Sequence, residues 1–181
     1  DVDQILRRNG RAYVSPELYL GTTMKLNGQE EELMGLVRGL TSSALLVRQQ
    51  VSIEEGHWPG PGEIMVGRLA AAKLGADSNQ VAIGKTIELE GRSWTISGRF
   101  SAGGSVFESE LWCPLLDLQQ AMKRQDLSIV AVTCRSEDDV KFVNAFCKRR
   151  LDLELQSMRE TDYYATLQSD YGPVRMLAWL M

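Results

Sequence analysis

A chain of 181 residues with 44 % hydrophobic and 24 % charged residues has the composition of a globular protein that can bury a core without disulfides or metal. Its formal net charge of −4 gives no general attraction for nucleic acid or for an anionic lipid surface, both of which reward an excess of Lys and Arg. Nucleic acid is therefore excluded as a partner.

The chain opens at Asp1 without methionine or leader, so it reads as a piece of a larger protein. Asp1 to Asn9 places Val2, Ile5 and Leu6 at helical spacing and stops at Gly10, which predicts a short helix. Ala12 to Leu26 reads as a strand that turns at Asn27-Gly28 and returns through Glu32 to Leu40. Thr41-Ser42-Ser43 precedes a short helix over Leu45, Leu46 and Val47.

Glu55 to Glu63 alternates Gly and Pro so densely that a loop is the only reading. Ile64 to Gly67 is a buried-strand run leading into an Ala-rich helix over Arg68 to Leu74, ended by Gly75. Val81 to Leu89 and Ser93 to Phe100 read as paired strands joined through Glu90-Gly91-Arg92. A loop over Ser101 to Ser105 leads to a strand over Phe107 to Trp112, and Pro114 opens a helix through Leu115, Leu118, Ala121 and Met122.

Leu127 to Cys134 is a β-branched strand. Glu137 to Leu151 is the clearest helix: Ser136 caps it, acidic residues load its first turn, and Lys148-Arg149-Arg150 complement the dipole at its end. Irregular alternation of strands and helices gives an α+β (mixed α/β) fold class. The last eight residues, Val174 to Met181, are apolar except Arg175, so either a membrane helix continues from them or they form a terminal core helix.

Chemistry is sparse. The single histidine, His57, sits in the Gly/Pro loop, where Ser–His or Cys–His catalysis would have to run through it alone. Gly84-Lys85-Thr86 ends like a phosphate-binding loop, but Asn79 stands where G-x-x-x-x-G-K-S/T needs glycine and a strand follows instead of a helix. No cofactor and no metal site is indicated. Cys113, Cys134 and Cys147 are odd in number and lack C-x-x-C spacing, so buried thiols are expected, with one pair still able to join.

The acidic pairs Glu54-Glu55, Glu108 with Glu110, and Asp138-Asp139 read as solvated faces, not as acid–base dyads. Among the aromatics, Trp94 reads as core. Trp58 and Phe107 flank glycine-rich loops and are the candidate partner-contact residues.

The order of these pieces resembles the extracytoplasmic core domain of ABC-transporter permeases of the MacB/LolC/FtsX type. The resemblance is carried by Val14-Ser15-Pro16, Gly56-His57-Trp58, Glu63 to Gly67 with Leu69 to Gly75, Ile83 to Ile87, Trp94 to Phe100, Leu111 to Ala121 and Ile129 to Leu151. It implies a porter-like α/β part from both chain ends, 1–50 and 122–181, with a β-rich sabre-like insertion at 51–121. It also implies a domain outside the cytoplasm at the cell membrane, a cytoplasmic ATPase partner acting through the parent permease, a second permease copy, and an extracytoplasmic adaptor or substrate protein. Its role would be non-catalytic, turning ATP hydrolysis into movement. Two alternatives remain: a small hydrolase using His57 and nearby carboxylates, and a stand-alone protein-interaction module.

Overall fold

The computed structural model describes residues 2–163; the apolar stretch 174–181 lies outside them. Their chain divides into two compact units, one of Arg7–Thr133 and one of Asp1–Leu6 with Cys134–Met181. The mixed α+β class read from the sequence is what the structure has.

The predicted N-terminal helix is replaced by strands. Arg7–Arg8 (β1) pairs antiparallel with Arg11–Ala12 (β2). Between them Asn9 and Gly10 take φ of 51° and 74°, the left-handed pair that a tight hairpin requires. Gly10 is thus a turn residue and not a helix stop.

Val14–Leu26 (β3) and Leu33–Leu40 (β4) form the expected hairpin, with Leu18 opposite Gly39 and Met24 opposite Leu33. Its turn is longer than two residues because Lys25 and Leu26 run on past the end of β4, where Met24 to Leu26 pair with Thr86–Leu89 (β7). Gly28, at φ 78°, closes the turn, and the Gln29 N–H bonds to the Leu26 carbonyl.

The remaining strands of this unit are Ser52–Gly56 (β5), Glu63–Gly67 (β6), Arg92–Ser101 (β8), Glu110–Pro114 (β9) and Ile129–Val132 (β10). β4 with β9 and β6 with β8 are parallel; the other pairs are antiparallel. The ladder β3–β4–β9–β6–β8 is joined back to β3 by β7, so six strands close a circuit, with β10 hanging from β3 and β5 from β8. Closure leaves interior and exterior side chains to alternate along each strand.

The interior is hydrophobic. Leu18, Val37, Ile64, Val66, Ile87, Trp94, Ile96 and Leu111 pack together with Ala70 and Leu74 of helix Ala70–Leu74 (α2) and Leu118 of helix Leu115–Ala121 (α3). α2 ends at Gly75 in the left-handed conformation, φ 71°, as its sequence predicts. One residue of β8 is skipped where Ile64 pairs with Ile96 but Met65 with Gly98. That bulge puts Phe100 in the opposite layer from Ile96.

The short helix Ala44–Val47 (α1) lies where Thr41-Ser42-Ser43 announced it, although Ser43 makes no side-chain cap. In the other unit, Ile5 bridges Cys134 and the Arg135 N–H bonds to the Gln4 carbonyl. Helix Glu137–Arg149 (α4) follows, capped by Ser136, whose Oγ accepts from the Asp139 N–H.

Candidate functional site

Along β3, β4 and β9 every second residue faces away from the apolar interior. On that outward face lie Glu17, Tyr19, Arg38, Glu110 and Trp112, drawn together because Arg38 is paired with Tyr19 on one side and with Trp112 on the other. All but Tyr19 are buried. Burying charge is costly unless partners satisfy it. Here they do.

Arg38 donates Nε and Nη2 to the two carboxylate oxygens of Glu110, both at 2.7 Å, and Nη1 to Glu17 at 2.7 Å. Arg48, just after α1, donates to Glu17 through Nε at 3.1 Å and Nη2 at 2.9 Å. The Trp112 indole N–H donates to Glu110 at 2.8 Å. Both guanidinium planes lie over aromatic rings, Arg38 at 4.3 Å from Tyr19 and Arg48 at 4.2 Å from Phe107, a cation–π arrangement that gains strength where water is excluded. Burial pushes the Glu17 pKa up, but the hydrogen bonds and charges of Arg48 and Arg38 outweigh it and hold the carboxyl below its usual range.

A third buried carboxylate lies on the 3-10 turn Val106–Ser109. Glu108 accepts N–H bonds from Ala102 at 2.8 Å and Gly104 at 3.0 Å, and from Arg68 Nε at 2.7 Å. The two backbone donors, more than the arginine, bring its pKa down to about 2. Gly67 makes this fit: a Cβ there would collide with the Glu108 carbonyl oxygen. The expectation that Glu108 and Glu110 form a solvated face is therefore overturned. They are 0 % and 1 % exposed, because arginines 40 and 72 residues away along the chain neutralise them.

The Gly/Pro loop leads from this network to the surface. Glu63 accepts the Gly60 N–H at 2.8 Å and lies 3.0 Å from His57 Nε2, while Asp117 accepts the Gly62 N–H at 2.7 Å. The Gly60 N–H, then His57, keep the Glu63 pKa low. His57 is exposed, and the carboxylate the hydrolase alternative would pair with it is committed to holding the loop.

The two expected contact residues converge on one ring. Trp58, half-buried, meets Trp112 edge-on with centroids 6.5 Å apart, and Phe107 meets it edge-on at 5.9 Å. Phe107 is 1 % exposed. Sequence reasoning passed over Glu17, Arg38 and Arg48; the available signal was a charge at mid-strand, in Pro16-Glu17-Leu18 and Val37-Arg38-Gly39. Cys113, Cys134 and Cys147 are all free thiols, Cys113 buried. Among the described residues no three His, Cys, Asp or Glu side chains gather as a metal site, and no helix is long and apolar enough to cross a membrane.

Residues 1–145 match the family described as MacB-like periplasmic core domain. Two solved structures are similar. The extracellular domain of the noncanonic ABC-type transporter YknZ from Gram-positive bacteria shares 20 % identity over 79 % of this chain and 72 % of its own, with a TM-score of 0.60. The periplasmic region of MacB from Actinobacillus actinomycetemcomitans shares 11 % identity over 80 % of this chain and 68 % of its own, with a TM-score of 0.57. At these identities the likeness establishes the fold. No curated protein matches the chain.

Proposed function

Because the chain belongs to the family of MacB-like periplasmic core domains, we propose that it is the extracytoplasmic part of an ABC-transporter permease, moved by ATP hydrolysis on the cytoplasmic side of the cell membrane. The family match is the observation that carries this reading. In this reading the domain works with a cytoplasmic ATPase partner, a second permease copy, and an adaptor or substrate protein on the outer side. The chain then divides, as the resemblance implies, into a porter-like part, 1–50 and 122–181, and a sabre-like insertion, 51–121.

The geometry suits a mechanical role. A domain that transmits a push must not dissipate it in sliding strands. Closure of six strands into a circuit removes free edges from β4, β9 and β6. Arg38 then ties β3 and β9 to β4 through directional, fully buried bonds. Trp58 stands at the surface end of that tied layer and is the residue we assign to partner contact, with Phe107 supporting Trp112 from within. The role is non-catalytic in this reading.

The test is to replace residues 7–133 by a flexible linker in the intact permease, with its ATPase present. Transport is expected to stop while ATPase assembly and hydrolysis persist. Transport at the unmodified rate would refute the reading.

A further inference from the structure

The β1–β2 hairpin reads Arg7-Arg8-Asn9-Gly10-Arg11-Ala12. Its turn residues are both left-handed, which fixes a two-residue turn and sets Arg8 directly opposite Arg11. Residues directly opposite in an antiparallel pair project to the same face, about 5 Å apart at Cβ, where like charges oppose pairing. Arg7, Arg8 and Arg11 are exposed. Three exposed arginines elsewhere face carboxylates, Arg99 with Glu55, Arg150 with Asp152 and Arg159 with Glu137. Among the described residues neither Arg8 nor Arg11 has such a partner.

We propose that this hairpin is a basic finger that grips the phosphates of anionic phospholipid headgroups. Two guanidinium forks on one face offer paired N–H donors to phosphate oxygens, the geometry in which arginine recognises phosphate. The site gives a reason for the uncompensated Arg8–Arg11 pair, which an anion relieves. A protein partner is the less fitting occupant. The tip holds no aromatic or aliphatic side chain to seat in a pocket, and protein interfaces depend on such anchors, whereas a charged headgroup layer is engaged by cations alone. The net charge of −4 does not oppose this, since a finger meets the surface locally and repulsion from the rest of the molecule is screened within about 10 Å. The inference rests on the extracytoplasmic, membrane-side placement proposed above.

The experiment measures partition of the whole 181-residue chain onto vesicles of phosphatidylcholine mixed with phosphatidylglycerol, against phosphatidylcholine alone. Binding is expected to the anionic vesicles only and to weaken with salt. Each arginine near such a surface is worth about fivefold in partition, so Arg8→Gln with Arg11→Gln should lower it roughly tenfold to thirtyfold. Lys85→Gln with Arg92→Gln removes the same charge from two other exposed positions and should leave binding unchanged. Inorganic phosphate should displace the protein no better than chloride at equal ionic strength. Equal loss in both double variants, equal binding to neutral vesicles, no binding at all, or preferential displacement by free phosphate would each overturn the proposal. None of these outcomes touches ATP coupling, which is tested on distances and transport in the intact permease.

Discussion

Arg38 and Glu110, 72 residues apart in sequence, are joined by two parallel N–H···O bonds of 2.7 Å with both side chains out of contact with water. Glu17 takes the remaining edge of the same guanidinium at 2.7 Å. Removing one member of a buried ionic group leaves the others charged and unpaired, which costs about 3–5 kcal/mol. Arg38→Met should lower stability by that amount in urea unfolding. Adding Glu110→Gln should recover part of the loss, so the double variant should be less destabilised than the sum of the singles. Strict additivity would mean the pair is not coupled.

Glu108 sets an acid limit. Its carboxyl titrates at about 2 in the folded chain against 4.5 ordinarily, so between these values the unfolded state binds more protons. Its contribution to stability is complete above about pH 4.5 and is lost as pH falls through about 2. Glu17, also depressed, acts in the same direction. Glu108→Gln should therefore be less stable than the parent at neutral pH and show a flatter fall between pH 4.5 and 2. Parallel pH curves would contradict the assignment.

Trp58 separates contact from folding. Its edge-on meeting with Trp112 is worth about 0.5–1.5 kcal/mol beyond the apolar area it buries, so Trp58→Ala should lower the stability of the domain by at least about 1 kcal/mol and leave the far-UV circular dichroism that of a folded domain. In the intact permease the same variant should impair transport, whereas Leu116→Ala, at a residue 63 % exposed on α3, should not. Equal transport in both would remove Trp58 from the partner surface.

The thiols should differ in reach. Cys113 is wholly buried, and burial pushes its pKa up; Cys134 and Cys147 are only partly covered. Maleimide labelling of the folded chain, read by mass spectrometry, should modify Cys134 and Cys147 before Cys113, which should react only on unfolding. Early loss of the Cys113 thiol would place it elsewhere.

Much of this fold was legible from local pattern. The β3–β4 hairpin, the Gly75 stop of α2 and the Ser136 cap of α4 follow from period and turn chemistry within a few residues. The start of the chain was misread because Asn9-Gly10 carries the same hairpin signal as Asn27-Gly28, yet the spacing of Val2, Ile5 and Leu6 suggested a helix. The buried network was not legible at all. Glu108 and Glu110 look like solvated neighbours until strand pairing brings Arg68 and Arg38 to them. Long-range pairing sets that environment, and no window of sequence contains it.

In the proposed transporter the unit Arg7–Thr133 moves as one body when ATP is hydrolysed on the cytoplasmic side. Spin labels at Met34→Cys in β4 and Leu116→Cys in α3, both exposed and both within Arg7–Thr133, would be introduced into the intact permease with its ATPase, the native thiols replaced. The label-to-label distance within a chain should stay constant between the nucleotide-free and vanadate-trapped states, while the distance between Met34→Cys labels on two copies should change. An unchanged distance between copies, or a changed distance within one, would contradict rigid-body movement driven by ATP.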